Sequence, residues 1–446
     1  MRPQVILIGF LDTKEAEHVF VRDILVSKGC DVILIDVSLQ AGEPSPTSTH
    51  SPASVCSAAG TSLETIRSLP RSEALQFMTK GTQSLVQSYI NSSHEGSGIH
   101  GLMGLGGSTT TALVCEVMRG VKIGLPKICV STMASGDVSA YVGDSDICLM
   151  PSIVDISGTL NILSSLILTN AASAMAGMAH AYFSTNSASP QDDSPDMKDS
   201  PKHLVAVTMF GLTTPGVTAA CDRLRSFKDD ETGQRLYEPV VFHCTGSGGR
   251  TMERLIEEKV QNHPHMNHRD MTDDNASSVQ WFDAVLDLTT TELADEQCGG
   301  ILSAGPTRLT AASKSSIPQV ISLGALDMAN FGPRSTVPSH YTSSSPPRTL
   351  HVHNPSITLL RTSPSEPDLC MVMVPKKGWS GIDVDGGVFW DEEADGALVR
   401  ELKKGLEEGG KGIEVVEVDG HVNDEWVASG MADRLHELVK RADGSS

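Results

Sequence analysis

The alternation of short apolar runs with helix-patterned segments constrains the fold of this chain more than any other feature. Val5–Ile8 and Val32–Asp36 are apolar runs of strand length, and Glu15–Lys28 between them has helical spacing. Parallel strands need a crossover segment of this kind, so the opening predicts a βαβ unit. The strand-like Gly101–Leu105 and the helical Ser108–Arg119 continue the pattern. It favours a doubly wound α/β domain, which binds ligands at the carboxyl ends of its strands.

A second α/β pattern begins after a segment that is poor in apolar residues. Residues 184–201 are rich in Ser, Pro and Asp, which is the composition of a flexible linker, and the strand-like Leu204–Met209 follows. We therefore predict two doubly wound, Rossmann-like parallel-sheet domains joined by this linker. Their bounds are residues 1–183 and 202–446, with a Ser/Pro-rich insertion at 335–347 in the second domain.

Charge and cysteine content exclude several function classes. The 446 residues include 34 Lys+Arg and 55 Asp+Glu, which gives a formal net charge of −21 and argues against a nucleic-acid partner. The nine cysteines are odd in number and never form a CxxC pair, which argues against a disulfide framework or a zinc ribbon. We expect reduced, mostly buried thiols.

An uncharged stretch, Ile156–Ala179, is long enough to suggest a membrane helix. Its Ser, Thr, Asn and Gly content instead predicts a small-residue helix that packs between elements or between subunits. The N-terminus enters an apolar strand pattern at once and lacks a signal-peptide core. These features predict a cytoplasmic protein with no membrane partner.

Three polar turns follow predicted strands of the first domain, where a doubly wound sheet exposes helix N-termini. In the first, Asp12 or Thr13 is suited to cap a helix, but a cation such as Lys14 opposes the helix dipole and is better explained by a bound anion. In the third turn, Asp137 is suited to orient a ribose hydroxyl or magnesium, or to cap a helix. The alternatives stay open for each turn taken alone.

The second turn is rich in glycine. Gly106 and Gly107 would let the backbone approach a phosphate closely, and Ser108 and Thr109 would supply hydroxyl donors at the next helix. The turn matches neither a Walker A loop nor a strict GxGxxG motif, so a tight strand-to-helix turn is the alternative.

The second domain has comparable turns and scattered polar candidates. Two turns, one after Val240–Cys244 and one (Ser303–Arg308) after a predicted strand Gly300–Leu302, are suited to a second anion pocket, and the first of them offers Thr245, Gly246, Gly248 and Gly249. Further catalytic candidates are His353, His421 and Asp424. The GxSxG, HExxH and CxxC patterns are absent, so a hydrolase nucleophile, a zinc catalyst and a dedicated metal site have no direct support.

Six motifs in order along the chain carry a family resemblance: Gly9–Lys14, Gly104–Ser108, Ser131–Asp137, His353–Pro355, Pro375–Ser380 and Asp419–Asp424. The chain resembles the Tm-1-like (UPF0261) family over nearly its whole length. The resemblance implies a two-domain α/β protein that binds ATP, with magnesium, and assembles as a homodimer. It also implies a nucleotide pocket formed by Asp12, Thr13, Lys14, Gly106, Gly107, Ser108, Thr109, Ser135, Gly136 and Asp137.

Two functions are consistent with this resemblance. One is an ATP-binding protein with the phosphates on the Gly106–Thr109 loop, which as an enzyme would activate or phosphorylate a small acid bound near the Thr245–Gly249 loop and His353 or His421. The other is a non-catalytic dimeric interaction module stabilised by nucleotide. A third alternative is a sugar- or acid-processing enzyme that uses the glycine turns for its substrate and ignores nucleotides.

Overall fold

The chain is divided by its internal contacts into two compact units, Met1–Asp192 and Asp193–Ser446. The computed structural model describes residues 1–40, 45–91, 98–187, 201–260, 279–333, 335, 337–342, 367–387, 389–409 and 412–444. Each unit is built on its own parallel sheet, which confirms the predicted fold class of two α/β domains.

The sheet of the first unit has five parallel strands. They are β1 (Gln4–Gly9), β2 (Asp31–Asp36), β3 (Gly101–Gly106), β4 (Lys127–Ser131) and β5 (Cys148–Pro151), arranged in the order β2-β1-β3-β4-β5. Ile8 is paired with Ile35 on one side and with Gly104 on the other. Because the chain adds β2 on one side of β1 and then β3 on the other, the topological switch point lies between β1 and β3.

Helices cover both faces of this sheet. They are α1 (Leu11–Ser27), α2 (Pro52–Ala58), α3 (Leu63–Arg67), α4 (Arg71–Ile90), α5 (Ser108–Arg119), α6 (Ser139–Val142) and α7 (Ile162–Ser187). Successive side chains of a strand point to opposite faces. Accordingly Ile6 and Ile8 belong to a core with α2, α4 and α5, whereas Val5 and Leu7 belong to a core with α1 and α7.

The uncharged stretch forms α7, which changes one predicted boundary. The helix continues to Ser187, so residues 184–187 of the predicted linker are helical, and residues 188–200 lie outside the described part of the chain.

Among the described residues, one segment of α7, Ile162–Thr185, is long and apolar enough to cross a membrane. Its Leu168, Ala171 and Met175 are buried in the sheet core, as in the core helix of an α/β protein.

The second unit has a six-stranded parallel sheet and a short antiparallel ribbon. The sheet strands are β6 (His203–Met209), β7 (Tyr237–His243), β10 (Ala284–Thr289), β11 (Gln319–Gly324), β12 (Cys370–Pro375) and β13 (Glu414–Val418), in the order β13-β12-β11-β10-β6-β7. The ribbon pairs β8 (Lys259–Val260) with β9 (Val279–Gln280). The switch point of this sheet lies between β6 and β10.

Helices also cover both faces of the second sheet. They are α8 (Thr214–Ser226), α9 (Ser247–Glu257), α10 (Thr291–Cys298), α11 (Ala311–Lys314), α12 (Ser339–Thr342), α13 (Glu392–Glu408) and α14 (Glu425–Ala442), with short 3-10 helices at Gly211–Thr213 and Pro367–Leu369. One core contains α8 and α14, and the other contains α10 and α13.

Two sequence-based assignments in the second unit change. Gly300–Leu302 is a turn rather than a strand, because the Gly300 N–H donates to the Asp295 carbonyl (2.7 Å) and the Leu302 N–H to the Asp295 carboxylate (3.1 Å). Within the predicted insertion 335–347, residues 339–342 form α12, and residues 343–347 lie outside the described residues.

Candidate functional site

A cavity of about 170 Å³ lies at the carboxyl ends of β1 and β3, at the switch point of the first sheet. It brings together two of the turns predicted from the sequence, Asp12–Lys14 and Gly107–Thr109. The described lining residues are Phe10, Asp12, Thr13, Lys14, Leu39, Gln40, Arg71, Gly107, Ser108, Thr109 and Thr110. The position is the one at which open α/β sheets bind their ligands.

The turn between β1 and α1 is held by the loop that follows β2. The Asp36 carboxylate accepts hydrogen bonds from the Leu11 N–H (3.3 Å) and the Ser38 N–H (3.0 Å). Burial raises the pKa of Asp36, while its hydrogen bonds with Ser38 act in the opposite direction. The Asp12 N–H donates to Ser38 Oγ (2.9 Å), and the Asp12 carboxylate accepts from the Gln40 N–H (3.2 Å). These bonds fix the backbone of one wall of the cavity.

Lys14 lies at a kink near the start of α1. Its backbone leaves helical geometry (φ −141°, ψ 29°), and its ammonium donates to Thr13 Oγ1 at 3.2 Å. In the part of the chain that the structure describes, neither Lys14 nor Arg71 has a carboxylate partner. The cavity therefore has two cations available to a bound anion.

A buried histidine, His18, stabilises the kink at Lys14. His18 Nδ1 donates to the carbonyl oxygen of Lys14 at 2.7 Å, and a Cβ at Gly9 would lie 1.7 Å from His18 Nε2. Burial lowers the pKa of His18, so the ring is neutral at physiological pH. Gly9 is thus required for close packing of the ring against β1, and His18 adds no charge to the site.

The opposite wall is the N-terminus of α5. Gly107 is the N-cap and provides no side-chain cap, and the first turn of the helix contains no acidic residue. The first N–H groups of an α-helix have no intrahelical acceptor and carry partial positive charge. Here they belong to Ser108, Thr109 and Thr110, all in the cavity lining. Gly106 supports this wall from outside the lining, because a Cβ there would lie 2.4 Å from Thr110 Oγ1.

The third predicted turn does not contribute to the cavity lining. Ser135, Gly136 and Asp137 follow β4, one strand further from the switch point. Asp137 is exposed, and its carboxylate accepts from the Ser139 N–H at 3.0 Å at the start of α6. The hydrogen bonds with Ser139 lower the pKa of Asp137. The structure thus gives Asp137 the role of stabilising a helix start.

The glycine turn of the second unit binds a carboxylate of the chain itself. Glu292 Oε1 accepts from the Gly246 N–H (2.8 Å) and the Gly249 N–H (3.1 Å). A Cβ at Gly248 would lie 1.9 Å from the His243 carbonyl oxygen, so Gly248 allows close packing there. The predicted external-anion pocket at Thr245–Gly249 is therefore wrong for these amides, because Glu292 already occupies them.

Glu292 belongs to a buried ion-pair network. Arg308 is fully buried and donates to Glu292 (2.9 Å), Asp287 (2.5 Å) and Glu253 (3.1 Å). Burial raises the pKa of Glu253, and the Arg308 charge acts against this increase. Glu253 also accepts from the Ala311 N–H at 2.8 Å, which caps α11. The predicted anion-binding turn that ends at Arg308 is thus a structural connection, since its cation faces internal carboxylates.

Two of the remaining catalytic candidates, His421 and Asp424, have structural roles, and the third lies outside the described residues. His421 Nδ1 accepts from the Asn423 N–H (3.0 Å), so Nε2 carries the proton and donates to the Ser380 carbonyl (2.9 Å). The Asp424 carboxylate accepts from the His421 N–H at 2.8 Å. Both residues therefore hold a loop together. His353 lies outside the described residues.

Sequence reasoning missed five lining residues: Phe10, Leu39, Gln40, Arg71 and Thr110. Of these five, Arg71 is marked by a feature that is visible in the sequence. Arg71 is the first residue of α4, and a cation at a helix start opposes the dipole, which is the property that distinguished Lys14. Leu39 and Gln40 had no comparable signal, because their position depends on how the loop after β2 folds.

The described residues contain no group of three His, Cys, Asp or Glu side chains placed to hold a metal ion.

Two family models match this chain. The model described as "Uncharacterised protein family (UPF0261) N-terminal domain" matches residues 3–184, and the model of the C-terminal domain matches residues 202–262 and 274–439. The chain belongs to the UPF0261 family. The motifs and the cavity of this UPF0261 protein thus lie within the residues that the two family models match.

Relatives span most of this UPF0261 chain. A UPF0261 protein of Clostridium tetani is 38% identical over 99% of this chain and 100% of its own length. A UPF0261 protein of Mesorhizobium japonicum is 34% identical over 96% of this chain and 98% of its own length. The ToMV resistance protein Tm-1(GCR237) of Solanum lycopersicum is 34% identical over 83% of this chain, which spans 45% of the tomato protein.

Solved structures add little to this comparison. MurG of Acinetobacter baumannii aligns over 98% of this chain and 100% of its own, with 7% identity and a TM-score of 0.21. A TM-score this low supports no inference about ligand or activity.

Proposed function

We propose that this UPF0261 protein binds ATP at the switch point of its first sheet. The phosphates lie on the Gly106–Thr109 loop, against the N–H groups at the start of α5, and Lys14 and Arg71 supply the counter-charge. Two cations without a carboxylate partner in the described structure and an uncapped helix N-terminus line one cavity, and this arrangement supports phosphate binding.

The size and charge of the cavity suit the phosphate end of a nucleotide. Its volume of about 170 Å³ is smaller than the roughly 300–1,000 Å³ typical of sites that enclose a small organic ligand. The ribose and base then extend over the exposed rim formed by Gln40 and Ser108.

Magnesium enters this site with the phosphates rather than through a preformed protein cage. Asp12 is the only carboxylate among the described lining residues. One of its oxygens accepts from the Gln40 N–H, and we propose that the other accepts from a water bound to the metal.

The compartment that fits this function is the cytoplasm. All nine cysteines are free thiols in the structure, and seven of them are buried. Unpaired thiols persist where the glutathione pool is reducing.

The test is a calorimetric titration of the full chain with ATP and magnesium. Lys14→Ala should weaken ATP binding at least tenfold, which corresponds to about 1.4 kcal/mol. Lys28→Ala, an exposed cation just after the other end of the same helix, is the matched control and should leave the affinity unchanged. Equal affinities of the wild type and Lys14→Ala would remove Lys14 from the site.

A second candidate function, a nucleotide-stabilised homodimeric interaction module, is favoured by an exposed apolar face on α7. Ile162 is 79% exposed, Leu163 50% and Leu166 60%. Contiguous exposed apolar side chains mark protein interfaces. The same helix packs against α1, which carries Lys14. The α7 helix would therefore contribute to the dimer interface and also support the helix that binds the nucleotide.

A phosphate-release assay on the titrated sample separates the two candidates. ATP binding without release favours the interaction module. Release that a small organic acid stimulates favours an ATP-dependent enzyme acting on that acid.

A further inference from the structure

The second unit contains a larger cavity, of about 380 Å³, at the carboxyl ends of β12 and β13. One side is formed by strand ends and the loop after them, and the other by one face of α13. The described lining residues are Val374, Pro375, Lys376, Trp379, Trp390, Glu392, Asp395, Gly396, Val399, Arg400 and Glu417. None of the functional assignments above uses this cavity.

Two tryptophans give the cavity flat apolar walls. Trp379 is buried, its Nε1 donates to the Pro375 carbonyl (2.8 Å), and its backbone N–H donates to the Asp383 carboxylate (2.7 Å). Its ring is therefore fixed before any ligand arrives, which lowers the entropy cost of binding. Trp390 is half-buried, and Val399 adds an aliphatic surface on α13. Such walls accommodate a planar apolar body.

Two cations, Lys376 and Arg400, lie at the rim of the cavity, where they can attract a bound anion. Lys376 and Arg400 are exposed, and in the described part of the chain neither forms an ion pair, although the Lys376 charge adds to the effect of Lys403 in lowering the pKa of Glu417. The guanidinium of Arg400 lies over Gly396, since a Cβ there would be 3.2 Å from one of its nitrogens. Of the two exposed carboxylates in the lining, Glu417 is already bonded to Lys403. Glu392 is the remaining one.

Asp395, the half-buried carboxyl of the lining, does not repel an anion at neutral pH. Burial, together with the neighbouring Asp383, Asp327 and Asp391, raises the pKa of Asp395 to about 8. The group is then mostly protonated and is a hydrogen-bond donor rather than a negative charge.

We propose that this cavity is a second ligand site and that its ligand is a small carboxylic acid with a planar apolar body. The carboxylate lies between Lys376 and Arg400, and the planar body packs against Trp379 and Trp390. This site is independent of ATP binding in the first unit, so either assignment stands if the other fails.

The test uses 2-naphthoate as the probe and 2-naphthamide as its uncharged counterpart, each titrated calorimetrically into the full chain at neutral pH without nucleotide. The wild type should bind 2-naphthoate at least tenfold more tightly than 2-naphthamide. Arg400→Gln should lower the affinity for 2-naphthoate to that for the amide. Lys404→Gln, an exposed cation on the same helix but outside the lining, is the matched control and should bind like the wild type.

A second variant tests the aromatic wall. Trp390→Ala should weaken binding of both probes at least tenfold, because both use the same planar contact. Lys14→Ala should leave both affinities unchanged, which separates this site from the ATP site.

Three results would overturn the proposal. The first is an absence of saturable 2-naphthoate binding to the wild type. The second is equal affinity for acid and amide. The third is retention of acid selectivity in Arg400→Gln.

Discussion

The carboxylate of Glu17 accepts a hydrogen bond from the backbone N–H of Gly158 at 2.7 Å. Glu17 is buried in α1, one turn after the kink at Lys14, and Gly158 belongs to the loop that precedes α7. Gly158 has a φ of +92°, and a Cβ there would lie 2.5 Å from the Thr13 carbonyl oxygen. This loop therefore supports the start of α1 and packs closely against the backbone of Thr13, which lines the proposed ATP site.

Gly158→Ala should weaken ATP binding because the new methyl group displaces Thr13. Gly124→Ala is a matched control, since Gly124 has the same φ of +92° but no atom within 4 Å of the added Cβ. Both variants should lose about 1–2 kcal/mol of stability from backbone strain. Calorimetry should show about tenfold weaker ATP binding for Gly158→Ala alone. Equal ATP affinities in the two variants would contradict the supporting role of the loop.

Arg308→Met should strongly destabilise the second unit. The substitution keeps much of the volume but leaves the carboxylates of Asp287, Glu292 and Glu253 without their buried cation. Removing one partner of a buried ion pair costs about 3–5 kcal/mol. Urea unfolding followed by tryptophan fluorescence measures the effect, because all four tryptophans lie in the second unit.

The control for this experiment is Arg434→Met, which removes an exposed ion pair with Glu437. Exposed pairs contribute about 0–1 kcal/mol. If Arg308→Met costs no more than Arg434→Met, the network does not stabilise the unit as described.

Stability of the second unit should fall as pH rises from about 6 to about 9. The pKa of Asp395 is raised to about 8, and burial raises that of Asp327 to about 7, whereas both carboxyls have a pKa of 3.8 in the absence of these effects. The folded protein therefore binds these protons more tightly than the unfolded chain does. Their contribution is fully present below about pH 4 and is lost as pH rises through about 7 and 8.

Asp395→Asn should reduce this pH dependence, since an amide does not ionise. The exposed Asp385→Asn is the matched control and should preserve it. Urea midpoints at about pH 6 and pH 9 provide the measurement. A rise in stability over this range, or an unchanged slope in Asp395→Asn, would show that the carboxyl is already ionised at neutral pH.

How much of this structure could be predicted from the sequence depended on whether the signal was local. The strand Val5–Ile8 and the turn at Asp12–Lys14 were identified because apolar runs and a misplaced cation are visible in the sequence. The strands Ala284–Thr289 and Gln319–Gly324 were missed. Both are short and buried on both faces, and periodicity alone does not distinguish such runs from helical segments.

The sequence predicts a site residue when the pattern that marks it lies within one turn. It does not predict a contact between segments that are far apart along the chain. The glycine turn at Gly246–Gly249 looked like an anion site, and it does bind an anion. That anion is Glu292, 43 residues or more along the chain, and no sequence pattern pairs the two. At Gly107–Thr109, in contrast, no carboxylate of the described residues accepts a hydrogen bond from the backbone N–H groups, and the one carboxylate in the lining, Asp12, is bonded to the Gln40 N–H instead.

The exposed face of α7 predicts a homodimer. Leu166→Glu places a charge at a side chain that is 60% exposed, so it should prevent association without disturbing the core. Light scattering after size-exclusion chromatography should give a dimer mass for the wild type and a monomer mass for the variant. Phe77→Glu, exposed on α4 on the other side of the sheet, should remain dimeric. A monomeric wild type would remove this interface.

The central claim, that ATP phosphates lie on the start of α5, is tested most directly by titrating ATP and magnesium into Gly107→Val. Gly107 has an extended backbone (φ −85°, ψ −165°), and the nearest atom to an added Cβ is 3.8 Å away, so valine fits the fold but fills the cavity. Gly136→Val is the matched control, at an open glycine outside the lining. We predict saturable binding to the wild type and to Gly136→Val, and none to Gly107→Val at unchanged stability. Undiminished ATP affinity in Gly107→Val, or no binding to the wild type, would contradict the claim.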